Sequence, residues 1–462
     1  DLHRRRHSFP TRRSSDLLLR APAFANVGEV FGFGSRNAAL GGAVVAGPGD
    51  SFSAYHNPAS LGAGSDANRL KISWGLLFMQ PRFEPIQNVV TQNSFNSDQP
   101  AGTPLYGDVS TSDYRATFGQ VFGLSYALFP DFYNFSIGIV SFLPVNQFAF
   151  MDSGESYIPE YLLYRARTQR PQVELGVGAD LGKGFSVGFG SHTAFSLSSA
   201  ADAFMSNRTG TPSQIRFISE LKPKAAPYLG FLYTAQNENK SWAIGAVLRF
   251  PVASDNSMRF HSGSKLGPLP TIPINFSSTS ALFYDPLSLE LGGSWQVWST
   301  SRIYFQVDYQ VWNRFQSPEL LIVPDADAVN LSPGVVPGYP YANIVLPRVG
   351  QEIEVFADGV LRYGYAYRPS IFTGAPTGVG NYLDPAKHML NLGLGLKSLH
   401  WLGPKIPCSL DFHLSYQYLV PFNVVKTSGG ETGEASDLKI GAPGYKAGGS
   451  LFGGGVSFQL EI

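Results

Sequence analysis

The sequence predicts an all-β fold: a transmembrane antiparallel up-and-down β-barrel of about fourteen strands, with a small N-terminal hatch inside the lumen. Three observations point there. Of 462 residues, 50 are glycine, 13% are aromatic and only 15% are charged, whereas soluble globular proteins carry about 25% charged residues. Much of the surface therefore does not face water. Mean hydropathy is nevertheless −0.03, and no apolar run reaches the roughly 18 residues of a helical span. A closed barrel is the other structure that satisfies its backbone hydrogen bonds in lipid. Finally, segments of alternating apolar and polar residues recur, separated by connections that are alternately short and long.

Taken in order, residues 1–25 read as a damaged export signal. Ala23-Phe24-Ala25 has the form of a cleavage site, but the apolar stretch before it is too short to work. The stretch from His7 to Leu17 resembles translated adaptor sequence, and mature protein is expected from about Asn26. Formal net charge is zero. The first 25 residues hold six of the 34 basic and two of the 34 acidic residues, so the remainder has 28 basic and 32 acidic residues and a net charge of −4. Nothing in that balance suggests a nucleic-acid partner. A lone cysteine, Cys408, excludes an internal disulfide framework and a multi-cysteine metal site.

Residues 26–69 are rich in Gly, Ala, Ser and Asn, without strand alternation or a long helical stripe. A segment this short makes no core of its own, so it is expected to pack in the lumen as a hatch. Residues 70–462 form the expected barrel. Within Arg302–Trp312, Ile303, Phe305, Val307, Tyr309 and Val311 form one face, with Gln306, Asp308 and Gln310 on the other. Period-two alternation places one set on lipid and the other in the lumen. The same pattern runs through Gln172–Leu181, Phe185–Phe195, Trp242–Phe250, His388–Lys397, Cys408–Tyr418 and Val456–Ile462. Six short turns are expected: Phe129–Tyr133, Gly182–Gly184, Gln236–Lys240, Trp298–Ser301, Ala357–Gly359 and His400–Pro407. They alternate with seven longer connections: Met79–Asp113, Pro144–Pro171, Leu197–Ala225, Pro251–Pro286, Phe315–Ile344, Pro369–Ala386 and Val420–Tyr445. Thirteen connections join fourteen strands, an even number.

Several motifs resemble one family. Phe33-Gly-Ser-Arg-Asn-Ala-Ala-Leu-Gly-Gly-Ala43 followed by Tyr55-His-Asn-Pro-Ala59 resembles the start of the outer-membrane long-chain fatty-acid and hydrocarbon transport proteins, the FadL/TodX-like family. Asp308-Tyr-Gln-Val-Trp-Asn-Arg-Phe315, Arg362-Tyr-Gly-Tyr-Ala-Tyr-Arg-Pro-Ser370, Asp384-Pro-Ala-Lys-His388 and Leu392-Gly-Leu-Gly395 follow in the order the family shows. Two departures are Ile462 in place of a terminal aromatic residue and Asn313 where serine is common. The resemblance implies a fourteen-stranded barrel in the outer membrane of a Gram-negative bacterium, an N-terminal hatch and loops that capture substrate. It also implies lateral exit through a gap at a kinked strand into membrane lipid, without a cofactor. A monomer is expected.

Candidate residues follow from both sources. Asn57, Pro58 and Ala59 form a turn signal that the resemblance also places beside a substrate route. Phe31 and Phe33 either reach that route or anchor the hatch. Gly32, Gly34, Gly41 and Gly42 lack the preceding strand and lysine of a phosphate loop. In the third and fourth long connections, Phe217, Ile218 and Leu221, then Leu266, Leu269, Ile272, Ile274 and Phe276, are apolar where water is expected. Exposed apolar patches mark binding sites, and these are expected to capture a hydrophobic substrate or to pack on one another. The lumen-side charges include Glu174, Asp180, Arg249, Asp308, Arg362, Arg368 and Asp411. Arg249 and Arg362 are the candidates to receive a substrate carboxylate in bidentate fashion. Gly138, inside Asn134–Pro144, is the candidate kink for lateral exit. His413 and Ser415 face inward on one strand, whereas a membrane hydrolase would present its nucleophile to lipid, and the eight histidines have no metal-ligand spacing, so neither an enzyme nor a metal site is expected. Three readings remain: hydrophobic transport, a structural or secretion-associated scaffold barrel, and an open porin. The contents of the lumen separate them.

Overall fold

The computed structural model describes residues 32–63, 70–93, 103–108, 114–129, 133–146, 158–164, 170–206, 213–237, 240–265, 272–315, 321–324, 339–376, 380–399, 407–426 and 440–462. Fourteen strands form the wall: β1 Leu70–Phe83, β2 Thr117–Phe129, β3 Phe135–Pro144, β4 Gln172–Gly182, β5 Phe185–Ser206, β6 Gln214–Asn237 and β7 Lys240–Arg249. The others are β8 Leu287–Trp298, β9 Ser301–Val311, β10 Ile344–Phe356, β11 Gly359–Arg368, β12 Lys387–Leu399, β13 Cys408–Val425 and β14 Gly444–Glu461. Each pairs antiparallel with its neighbours in sequence. β1 closes on β14, from Lys71 opposite Glu461 to Phe83 opposite Gly449. The expected strand number and the alternation of connection lengths both hold.

Side-chain exposure is inverted relative to a water-soluble sheet. On β13, Phe412, Leu414 and Tyr416 are exposed while His413, Ser415 and Gln417 between them are buried. Phe305 on β9 is 57% exposed, and its neighbour Gln306 only 4%. Exposed rings gather near the short turns (Phe129, Trp298, Phe356) and toward the opposite end (Phe118, Tyr309, Tyr418). An apolar belt with aromatic borders is the surface that a bilayer solvates. One tight turn, Gly182 to Gly184, holds three successive residues at φ 82, 56 and 83, and glycine at its two ends takes that conformation without a Cβ penalty.

Two of the long connections are strands and not loops. β5 and β6 continue past the barrel rim as one arm, paired from Leu197 opposite Leu221 to Phe204 opposite Gln214. A hairpin of Val252–Lys265 and Ile272–Asp285 lies beside the arm, with Asn256–Lys265 parallel to Leu197–Ser206. The short strand Leu321–Pro324 adds to the hairpin at Phe276–Thr279. Small and polar residues such as Ser198, Ser199 and Asp202 hide this in the sequence, because strand preference here comes from cross-strand partners and not from local pattern.

Three short helices, α1 Ser35–Ala39, α2 Ser53–His56 and α3 Ala59–Ala63, occupy the lumen as a hatch. Phe33, Phe52, Ala54, Tyr55 and Leu61 of the hatch join residues of the wall and of inward-folded connections in one cluster, while Leu40, Ala43 and Val44 pack on Tyr304 in another. Glu160–Tyr161 pairs in parallel with Tyr382–Leu383. Together with Phe83, Tyr114 and Ile371, these residues fill the lumen on the arm side of the hatch.

Candidate functional site

The seam between hatch and wall is the place where anything crossing the lumen must pass. Glycines of the wall make it tight. A methyl group on Gly138 of β3 would lie 3.0 Å from Ala54 and Leu61, and one on Gly176 of β4 3.1 Å from Ala54. On Gly178, Gly188 and Gly230 it would collide with Pro58, Ala59 or Asn57, and on Gly364 with the backbone of Leu40 and Gly41. The glycine abundance of the sequence thus has a location: the wall lets hatch backbone approach where any side chain would hold it off.

The seam has two unlike halves. Along β1 to β4 apolar contacts predominate, with Phe52, Ala54 and Leu61 of the hatch among Leu77, Val121, Val140 and Phe142. Beside them are hydrogen bonds from Ser51 to Ser73 of β1 and from Lys71 of β1 to the Gly49 carbonyl, and the buried Glu174 on β4. Along β7 to β11 it is polar, and arginines bridge hatch to wall. Arg36 of the hatch forks onto Glu352 at 3.1 and 2.7 Å. Arg348 of β10 donates to Asp308 at 2.7 Å and to the Gly41 carbonyl at 2.9 Å. Arg249 of β7 donates to Glu290 at 2.6 Å and to the Tyr55 and His56 carbonyls. A cavity of about 60 Å³ lies here among His56, His192, Arg249, Glu290, Asp308 and Arg348. On the short-turn side of the hatch a wider vestibule of about 820 Å³ is lined by Arg36, Asp50, Lys71, Arg302, Glu352 and Lys397, among others.

The Asn57-Pro58-Ala59 motif is a helix start built into this seam. The Asn57 carboxamide oxygen accepts from the Ala59 N–H at 3.0 Å, while its amide donates to the Val45 and Phe231 carbonyls at 2.7 and 3.0 Å. Asparagine caps α3, and Pro58 precedes its first residue with a pre-set φ and no N–H to satisfy. Phe33 is fully buried against Tyr55, ring centroids 4.2 Å apart, inside the hatch. Its carbonyl accepts from His56 Nε2 at 3.0 Å, and burial pushes the His56 imidazole down to about 4. Burial pushes the Tyr55 phenol up.

Other expected site residues are placed differently. Arg249 and Arg362 face the lumen but already hold wall carboxylates: Arg362 donates to Glu352 at 2.9 Å and to Asp411 at 2.5 Å. Their forks bind the wall and hatch where a substrate carboxylate was expected. Gly138 is not a bulge. β3 pairs through it with β2 and with β4 without a register shift at that residue, because its missing side chain serves the hatch contact. Phe217, Ile218 and Leu221 are exposed on the outer edge of the arm, and Phe276 packs on Phe260, ring centroids 5.1 Å apart. Ile272 opens a strand of the hairpin. Phe31, Leu266 and Leu269 lie outside the described residues, as do the side chains of Ile272 and Ile274. Sequence reasoning missed Arg36, Glu290, Arg348 and Glu352. Strand parity points the last three inward, but their pairing depends on register between strands.

No family model matches the sequence, and no curated protein matches it. Solved structures do. A FadL homologue of Pseudomonas aeruginosa is similar at a TM-score of 0.55 and 13% identity, over 93% of this chain and 97% of that one. The chain has the fold of that barrel. The monoaromatic hydrocarbon channel CymD is similar at 0.51 and 13% identity, over 95% and 98% of the two chains. A deletion mutant of TodX, also a monoaromatic hydrocarbon channel, is similar at 0.51 and 13% identity, over 93% and 99%.

Proposed function

We propose that this chain is a monomeric outer-membrane barrel that passes hydrophobic small molecules, long-chain fatty acids or aromatic hydrocarbons, by movement of its hatch. The observation that carries the reading is the two-sided seam: a mainly apolar half along β1 to β4 and a latched polar half along β7 to β11. A hydrophobic molecule that enters between hatch and wall stays in apolar surroundings on the first side, at roughly 0.8 kcal/mol per buried CH₂. The exposed arm residues Phe217, Ile218 and Leu221 collect substrate, and Asn57, Pro58 and Ala59 fix the hatch element nearest the path. Lateral exit into lipid needs β3 to part from a neighbour, with Gly138 at the point where the hatch leans on it. The similarity of fold to hydrocarbon channels supports the reading.

A tether tests it. Ala54→Cys with Gly138→Cys, in a Cys408→Ser background, brings two Cβ positions near the roughly 3.8 Å of a disulfide. Uptake of radiolabelled oleate and of toluene by a transporter-deleted host should fall on oxidation and return on reduction. Equal uptake in both states refutes the hatch route. The filled lumen favours a second reading, a scaffold barrel with no transport role. Wild-type protein that moves neither compound is the outcome that selects it.

A further inference from the structure

Arg249 is held by geometry that serves two positions. Its guanidinium lies between two rings, 4.8 Å from the centroid of Tyr55 in the hatch and 4.7 Å from that of Tyr228 in the wall. Nε is on Glu290 and one terminal nitrogen is on the Tyr55 and His56 carbonyls, but Nη1 has no hydrogen-bond partner among the described residues. Three strands along the wall on β4, where the Tyr228 hydroxyl also reaches the Leu175 carbonyl at 3.2 Å, Glu174 is 0% exposed and neither of its carboxyl oxygens is hydrogen-bonded among the described residues. Arg249 is the cation that acts most strongly on it, ahead of Arg170. A buried carboxylate without a donor is unfavourable, and another arrangement of this cluster supplies one. Attraction between a cation and a ring face changes little as the guanidinium turns in its own plane. Tyr228 belongs to the wall, so that attraction persists when the hatch leaves.

We propose that Arg249 is a two-position latch, closed on Glu290 and the hatch carbonyls and open on Glu174. The exchange moves one cation from the partly buried Glu290 to the buried Glu174. It also frees the Tyr55 and His56 carbonyls together, which unpins α2 on the polar side while the apolar side stays packed. Glu290, once vacated, faces Arg348, whose fork holds the Gly41 carbonyl, and draws on that second pin. Glu174 is therefore a positioning residue for the open state and has no part in the closed one.

The inference rests on the hatch movement proposed above, but its test needs no hydrophobic substrate. Wild type, Glu174→Gln and Glu290→Gln are reconstituted in planar bilayers in KCl, and the frequency of channel openings is recorded. Assembly is verified by heat-modifiable migration on gels. Glu174→Gln should open less often and Glu290→Gln more often, each by the factor of about ten or more that a charge-assisted hydrogen bond sets. Glu174→Gln should also raise the unfolding temperature, since it removes a buried carboxyl group that no donor meets among the described residues. That gain with unchanged openings would mean that Glu174 is a structural burden only, and overturns the latch. Silence of all three proteins overturns it as well. Openings in the expected order without hydrophobic uptake leave the latch standing and sink the transport reading.

Discussion

Phe305 and Gln306 are adjacent on β9, yet a charge placed on one and on the other acts on different parts of the molecule. Phe305 faces lipid, and Phe305→Arg should destabilise the reconstituted barrel by about 2–4 kcal/mol near the midplane, measured by guanidinium unfolding. From strand parity alone Gln306→Arg is mild. The contacts of Gln306 add a second effect: its carbonyl oxygen accepts from the Val45 N–H at 3.0 Å and its amide donates to Asp308 at 2.6 Å. Gln306→Arg should leave the wall intact and loosen the hatch, read as faster labelling of a cysteine at Ser53. His56 adds a pH dependence. Its ordinary value of 6.5 is lowered to about 4 by burial, with Asp50, Arg249 and Arg348 acting on it. Between these values the unseated hatch binds the extra proton. Seating is therefore undiminished above about 6.5 and weakens as pH falls toward 4. Labelling at Ser53→Cys, taken relative to an exposed reference cysteine at the same pH because the thiolate is the reactive form, should rise from pH 7 to pH 4.5, and His56→Gln should abolish that rise. A flat profile in the otherwise unmodified protein contradicts the assignment.

At the scale of elements, α3 is fixed twice, by its cap and by the wall. Asn57→Ala removes the cap and leaves the Val45 and Phe231 carbonyls without their donor, at about 1–3 kcal/mol for a buried unsatisfied group. The loss should appear as protease sensitivity of the hatch, with the melting of the barrel unchanged. Gly188→Val should do the same from the other side, since a side chain there meets Pro58 and Ala59. If either variant instead prevents barrel assembly, the hatch is part of the folding core and not a separable plug. The sequence marked Asn57 to Ala59 as a turn, and the turn is present. Of its two carbonyl partners, Val45 lies in the hatch itself, but Phe231 sits on β6, 174 positions away, and was not legible.

The whole molecule was legible where one strand or one connection carries the signal by itself. Alternation on β9 and β13 gave the facing of each side chain, and the succession of short and long connections gave the number of strands. What depends on register between strands was hidden. Arg348 meets Asp308 from β10 to β9, and Arg36 meets Glu352 over 316 positions. The arm was hidden for a related reason: its strands are held by each other and by a parallel neighbour. Orientation is open to a direct check. In a Cys408→Ser background, Ile215→Cys on the arm should react with an impermeant thiol reagent on intact cells, and Ser299→Cys in a short turn should not. Equal reaction would mean that the barrel is inserted the other way.

The closing seam of the wall has a consequence for how the protein is built. β1 and β14 are the first and last strands, paired from Lys71 opposite Glu461 onward, and the hatch is the segment just before β1. The hatch meets wall glycines on β3 to β6 and β11 more closely than any side chain there would allow. We expect it to be in position before the last ladder zips, with the wall wound around it as cloth around a former. In that sense the plug is also a template. A chain that loses the hatch should close more slowly, through the most distant pairing in the molecule, and its delay would be visible as a lengthened life of the unzipped form during insertion.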